Sequence, residues 1–343
     1  KRSRGKSSLL LVLVLVLALV LSACSQPAAP TTAAPTTAAP SQGETTAAPT
    51  TAQTGLGDYP NKPVTLIVPW GAGGGADTTA RVFASVAGSY LGQPLVPVLK
   101  PGASGTVGHA DYLKEKPDGY TLIITANSPI VTVPSFREVP YDPLNDFTFI
   151  GRLTNLRNVV VIRSTADYKT LEEFIAYAKE NPDTITVGHS GAQGIGEMTV
   201  LLMELELGIE LIDVPFTTAG EAVIAAAGGH IDAASSSITG AKVQIEEGNL
   251  IPIAMTSFDR DPFFPDVPTF LELGYEVAID NQIAIGTLKD TPQEIVDYLS
   301  EVIRQTLEDD SYINLSERMG MTVDYLDSED LLQAIKTSIN AVE

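Results

Sequence analysis

Short aliphatic runs alternate with stretches of helical period along most of this chain. Val64–Val68 (VTLIV) is a continuous apolar run of strand length. Residues 77–91 place Val82, Phe83, Val86, Ala87, Tyr90 and Leu91 at helical spacing, and the pattern stops at Gly92-Gln93-Pro94. A strand is expected at Leu95–Leu99, a helix at 106–113 and a strand at 120–126. Thr170 and Glu173 have capping-box spacing and open a helix that ends at Asn181-Pro182. Further strands are expected at 184–188, 211–216, 231–235 and Leu250–Met255, with helices between them. Thr291, followed by Pro292 and Glu294, reads as the N-cap of a long helix through Ile295, Leu299, Val302, Ile303 and Leu307. This alternation predicts an α/β protein in which each lobe is a mainly parallel sheet flanked by helices. Roughly 285 residues from position 58 onward is large for a single sheet, which points to two lobes. Open α/β sheets bind ligands beyond the carboxyl ends of their strands, so two facing lobes make a cleft.

The first residues break this rhythm. Lys1, Arg2, Arg4 and Lys6 precede an unbroken aliphatic run of 13 residues from Leu9 to Leu21. That length fits the core of a signal peptide better than a membrane span, which needs about 20 apolar residues. Leu21-Ser22-Ala23-Cys24 resembles the lipobox of bacterial lipoproteins. By that resemblance residues 1–23 are a lipoprotein signal peptide, Cys24 carries the lipid, and the protein is extracytoplasmic and anchored to the cell membrane. Residues 24–57 repeat Ala, Pro and Thr without an apolar period, and read as an extended tether.

Composition narrows the chemistry. Of 343 residues, 44% are hydrophobic and 18% charged, which is too apolar for a disordered chain. A net charge of −21 lacks the basic footprint that nucleic-acid binding requires. One cysteine excludes a disulfide framework within the chain, and His109, His189 and His230 lie too far apart to form a local metal motif. Gly71, Gly73 and Ala76 fit a relaxed dinucleotide fingerprint, but no acidic residue follows between 78 and 110 to hold a ribose. Gly188-His189-Ser190-Gly191-Ala192 fails the G-x-S-x-G hydrolase elbow, and no phosphate loop of the Walker type occurs. None of these enzyme motifs is met by the residues as they stand.

What remains is a set of glycine-rich loops, each leaving a strand and entering a helix. The first holds Trp70, Gly73, Gly74, Gly75 and Asp77; the second Gly102, Ala103, Ser104, Gly105 and Thr106; the third Ser190, Gly191, Ala192, Gln193 and Gly194. A fourth contains Thr217 and Thr218, and Asn127 follows the 120–126 strand. Glycines let a ligand approach the backbone, and helix N-termini offer unpaired N–H groups with partial positive charge. These residues together are the candidate ligand site. The first three loops are expected to converge on one anion, two from one lobe and one from the other. Trp70 either walls the cleft or packs beneath its loop, and Asp77 is either a ligand contact or dipole compensation. No Arg or Lys lies inside the three loops, although Lys100 just precedes the second.

Tyr59-Pro60-Asn61-Lys62-Pro63 with Val64–Val68, then Gly73-Gly74-x-x-Asp77-x-x-Ala80-Arg81, closely resembles the opening of the tripartite tricarboxylate transporter substrate-binding proteins, the Bug family. Further collinear matches are Pro101-Gly102-Ala103-Ser104-Gly105, Pro117-Asp118-Gly119-Tyr120-Thr121-Leu122, Ser190-Gly191-Ala192-Gln193-Gly194, Gly228-Gly229-His230-Ile231-Asp232 and Pro265-Asp266-Val267-Pro268-Thr269. The resemblance implies a two-lobed, venus-flytrap periplasmic-binding fold, type II-like, with lobe 1 formed by 58–160 and 278–343 and lobe 2 by 161–277. It implies a monomeric receptor and not an enzyme, without cofactor, metal or catalytic residues, that captures a small carboxylate, a di- or tricarboxylate or related acid, and delivers it to the permease subunits of such a transporter. A solute-sensing partner of a signalling protein, using the same cleft, is the alternative. Three positions depart from the family pattern: Ala72 replaces a Pro, Phe216-Thr217-Thr218 replaces Tyr-Lys-Gly, and Gln282-Ile283 stands near a usual Trp.

Overall fold

The structure, a computed structural model, describes residues 56–279 and 281–342. The leader, Cys24 and almost all of the tether lie outside the described residues. Two five-stranded sheets organise the rest. The first has the order β2-β1-β3-β10-β4 and the second β7-β6-β8-β5-β9. In chain order the strands are β1 Val64–Val68, β2 Leu95–Leu99, β3 Thr121–Ala126, β4 Phe147–Asn155, β5 Asn158–Arg163, β6 Thr186–Ser190, β7 Ile212–Phe216, β8 Ala233–Ser237, β9 Leu250–Met255 and β10 Gln282–Leu288.

Both faces of each sheet are covered, which is why β1 reads as an unbroken apolar run. Leu66 and Ile124 face a cluster with Phe83 of helix α1 (Gly75–Leu91) and Val302 of a long helix at Gln293–Glu308. Ile67 and Ile123 point the other way, toward Tyr112 and Phe147. The second sheet repeats the arrangement, with Val160 and Ile162 against Phe174, and Val159 and Val161 against Val223.

The expectation of mainly parallel sheets holds in strand direction, since four strands of each sheet run the same way, and one reversed strand makes each sheet mixed. β1 pairs in parallel with β2 and β3, but β10 pairs antiparallel with β3 and β4. Likewise β6 is parallel to β7 and β8, while β5 runs antiparallel to β8 and β9. The antiparallel strands are those by which the chain changes lobes. β4 and β5 follow one another directly, with no crossover helix to reverse direction between them. Because β5 begins at Asn158 in the second sheet, the outward crossing lies at residues 156–157 and not after 160. The return crossing runs beside it: Leu156 N–H donates to the Asn281 carbonyl at 2.9 Å.

The Thr170 hydroxyl caps its helix by accepting from Glu173 N–H, but the Glu173 carboxylate reaches back to Lys169 N–H and not to Thr170. Thr291 does not cap the helix at Gln293–Glu308. Pro292 occupies that position, and the Thr291 hydroxyl instead bonds Thr287 inside the lobe at 2.9 Å. β6 and β8 sit two residues later than their apolar patterns indicate, because their polar ends, His189-Ser190 and Ser236-Ser237, continue the ladders toward the cleft.

Candidate functional site

The cleft is built from strand ends and the helices that follow them. Helix α1 begins after Gly74, which has extended backbone (φ −84°, ψ 170°) and offers no side chain to the first N–H groups. A second helix, Ile195–Leu207, begins after Gly194 in the same uncapped way from the opposite lobe. The third residue of each helix is acidic, and its carboxylate reaches back to the loop. Asp77 accepts from Gly73 N–H at 2.9 Å and Glu197 from Gln193 N–H. These carboxylates order the loops; the first N–H groups of α1 have no side-chain partner among the described residues, while Ile195 N–H of the second helix donates to Ser128 Oγ across the lobes. Asp77 also pairs with Arg81 at 2.7 Å, so its charge is compensated within its own helix.

Two neighbouring helix starts are closed by their own side chains. Thr218 and Glu221 form a full capping box on the helix Ala219–Ala227. The Ser237 hydroxyl accepts from Gly240 N–H at 3.3 Å on the helix Ile238–Glu246.

The second loop is held in an unusual conformation. Gly102, Ala103, Ser104 and Gly105 have φ values of 150°, 44°, 54° and 93° in succession. Two of them carry a Cβ, and left-handed backbone at such residues persists only where the surroundings enforce it. The Thr106 hydroxyl donates to Ala103 O at 2.9 Å, and His109 Nδ1 donates to Gly105 O at 2.9 Å. His109 is fully buried, and burial lowers its pKa to about 4, so the ring is neutral. Its Nε2 lone pair then faces the Thr125 hydroxyl at 3.2 Å.

The lobes meet across this loop. Ser104 Oγ donates to Ala192 O at 2.6 Å, and Ser128 Oγ accepts from Ile195 N–H at 3.3 Å. Gly191 and Gly194 give the room for this approach, since a Cβ on either would lie 2.5 Å or 2.9 Å from Ser104 Oγ. Two adjoining spaces remain: an inner chamber of about 80 Å³ and an outer one of about 330 Å³.

Of the candidate residues, Gly74, Gly75 and Thr218 border the inner chamber. Gly102, Ala103, Ser104, Gly105, Gly191, Ala192 and Thr217 border the outer one. Trp70 and Ser190 border both, and the Trp70 ring lies against Gly105, where a Cβ would come within 3.1 Å of it. Trp70 therefore both walls the cleft and packs against a loop. Gly73, Asp77, Thr106, Gln193 and Gly194 border neither space and shape the loops instead. Asn127 is also outside, accepting from Gln282 Nε2 at 3.4 Å beside a separate cavity of about 620 Å³. Lys100 lies 3.8 Å from Glu115 and borders neither chamber.

Residues not anticipated also border the inner chamber: Ser128, Asn158, Ser235, Ser236, Ser237 and Asn281. The serine run at a strand-to-helix junction was legible in principle. Asn158 and Asn281 sit at the interlobe crossings, which no βα pattern marks. Their side chains bond each other, Asn281 Nδ2 to Asn158 Oδ1 at 3.0 Å. Among the described residues bordering the two chambers there is no Lys, Arg, His, Asp or Glu.

A two-lobed fold with helix N-termini converging on an interlobe chamber is the architecture of a solute receptor. Residues 79–342 match the tripartite tricarboxylate transporter family receptor, and the chain belongs to that family. Its members are substrate-binding receptors and not enzymes. The chain is similar to protein BugT of Bordetella pertussis, at 30% identity over 77% of this chain and 82% of that protein. Among solved structures it resembles the periplasmic binding protein BugD, with 28% identity and a TM-score of 0.78 over 83% of this chain and 96% of that one. It also resembles MatC of Rhodopseudomonas palustris with bound malate, with 27% identity and a TM-score of 0.78 over 83% and 99% of the two chains. A further R. palustris protein, with adipate, gives 26% identity and a TM-score of 0.79 over 83% and 96%. No described helix is long and apolar enough to cross a membrane.

Proposed function

We propose that this protein is an extracytoplasmic solute-binding lipoprotein that captures a small carboxylate between its lobes and delivers it to a tripartite tricarboxylate-type permease. The observation that carries this reading is the pair of helix N-termini without an N-cap side chain of their own, after Gly74 and Gly194, that open at the interlobe site from opposite lobes, the second with Ile195 N–H held by Ser128 Oγ. Each terminus carries roughly half a positive charge, which Asp77 and Glu197 in the first turns partly offset. A carboxylate between them contacts both lobes and so favours the closed arrangement over an open one. The malate and adipate carried by two relatives support a carboxylate as the ligand class.

The acidic surface does not oppose this. Solution screens the field of distant charges over about 8–10 Å, while N–H groups in a partly dry cleft act at contact. The lipid anchor rests on Cys24 in its Leu-Ser-Ala-Cys context, with the Ala-Pro-Thr segment as tether. The receptor acts as a monomer.

A thermal-shift screen across mono-, di- and tricarboxylates tests the ligand class. A true ligand at 100 times its Kd adds about 2.7 kcal/mol of stability. If no carboxylate shifts the melting temperature while another class of solute does, the reading is wrong. Cys24→Ser should move the protein from the membrane to the soluble fraction; a variant that stays membrane-bound refutes the anchor.

A further inference from the structure

The helix Ile195–Leu207 is apolar on two faces. Val200, Met203 and Leu207 are buried in the core of their own lobe. Met198, Leu201, Leu202 and Leu205, spaced by three and four residues, form a second stripe that faces away from that core. Leu205 is 75% exposed and Leu201 41%. A helix on the surface of a globular protein ordinarily turns polar side chains outward, so this second stripe needs a reason.

The stripe runs into the cavity of about 620 Å³ that lies apart from the two chambers. Met198, Leu202 and the exposed Phe258 line it from one lobe, and Val131 and Ala334 line it from the other. Single exposed apolar side chains are ordinary, whereas a helical stripe continuous with an apolar cavity marks an interaction surface.

Charge decides what covers it. Helical spacing sets Glu197 and Glu204 along one side of the stripe and Glu206 along the other. The Glu206 carboxylate accepts from Glu276 N–H at 3.3 Å, which brings it beside Glu276 at the edge of the cavity. None of these four carboxylates has a cationic partner among the described residues, and no described Lys, Arg or His lines the cavity. A second copy of the chain would set these carboxylates against their equals, and an anionic lipid surface would be repelled by them. Apolar side chains flanked by cations match both the stripe and its borders.

We propose that this stripe and cavity are a docking surface for a protein segment that presents apolar side chains flanked by Lys or Arg. On the delivery reading above the permease carries that segment; the docking surface itself does not depend on that reading.

Fluorescence anisotropy at physiological salt tests this on the full protein. The probes are three labelled amphipathic helical peptides with one leucine pattern, carrying Lys, Gln or Glu at every other position. The Lys peptide should bind at least about tenfold more tightly than the Gln peptide, as expected for several exposed ion pairs acting together. The Glu peptide should not bind. Leu205→Ser removes an apolar contact without changing charge and should weaken the Lys peptide at least about tenfold. Ile224, 68% exposed on the helix Ala219–Ala227, is the control, and Ile224→Ser should leave binding unchanged. Melting curves confirm that the variants are folded; should Leu205→Ser not be, Leu201→Ser makes the same comparison. The proposal is overturned if the Lys peptide does not bind, if the Gln peptide binds as tightly, or if Ile224→Ser weakens binding as much as Leu205→Ser. Self-association of the wild type in sedimentation that Leu205→Ser abolishes would assign the face to a second copy. Pelleting with phosphatidylglycerol vesicles that the same variant abolishes would assign it to a membrane, and either result overturns the proposal. None of these measurements uses the carboxylate cleft, so the thermal-shift screen reads the failure of carboxylate capture separately.

Discussion

Ser104 Oγ donates a 2.6 Å hydrogen bond to the Ala192 carbonyl, joining the two lobes directly across the cleft. Ser104 has left-handed backbone (φ 54°) and projects into a socket made by Gly191 and Gly194. The strain in one lobe and the missing side chains in the other serve the same contact, so Ser104 acts on closure more than on the ligand itself. Ser104→Ala should leave the fold intact and remove a bond worth about 1 kcal/mol. Ligand release, followed by stopped flow, should then be about fivefold faster, with the association rate little changed. An unchanged release rate would show that the contact does not hold the lobes together.

Glycines in the cleft should respond unequally to substitution. Gly191 combines φ +63° with a Cβ position 2.5 Å from Ser104 Oγ. Gly74 has ordinary φ, and no neighbouring atom lies within 4 Å of its Cβ position. Gly191→Val should obstruct closure and weaken binding by more than tenfold, while Gly74→Ala should melt within about 1 °C of wild type. Calorimetry and a melting curve on the two variants check this ordering. Lys100 borders neither chamber and faces Glu115, so Lys100→Ala should change affinity less than twofold.

The capping box at Thr218 predicts a stability effect separable from binding geometry. Thr218 Oγ1 accepts from Glu221 N–H at 3.1 Å, and Glu221 returns to the N-cap N–H. Thr218→Ala should cost about 1 kcal/mol, which for a domain of this size lowers Tm by about 2 °C. Thr218→Ser should restore most of the loss. A Ser variant no more stable than the Ala variant would mean the cap contributes nothing.

His109 gives the fold a defined acid limit. Burial among Tyr141, Phe147, Gly105 and Thr125 lowers its pKa to about 4, against about 6.5 in an unfolded chain. Between these values the unfolded chain binds a proton that the folded one does not. The contribution is therefore fully present above pH 6.5 and is lost as pH falls toward 4, amounting to about 3 kcal/mol. Denaturant unfolding at pH 7 and pH 4.5 should show this decline, and His109→Gln should flatten His109's share of it. A His109→Gln protein with an undiminished slope would place the acid sensitivity elsewhere.

The sequence by itself determined the elements whose burial is local and repetitive. β1, with Leu66 and Ile67 buried on opposite faces, and α1, with Phe83 and Ala87 on one stripe, were legible because each covers its own stretch of core. The glycine loops were legible too, since their residue types announce exposed backbone, although the glycines of the first border one space and the second loop the adjoining one. Tertiary structure alone decided the direction of β5 and β10, because a strand that passes between lobes without a helix leaves no periodicity to read. It also decided which loop residues face the ligand space. Asp77 and Gln193 share loops with Gly74 and Ser190, yet the carboxylates of Asp77 and Glu197 turn back onto the backbone and order those loops from behind. The polar wall of Asn158, Ser235 and Asn281 comes from three segments distant in the chain. Its chemistry exists only once the two crossings lie side by side, because no single segment holds enough donors to form a site.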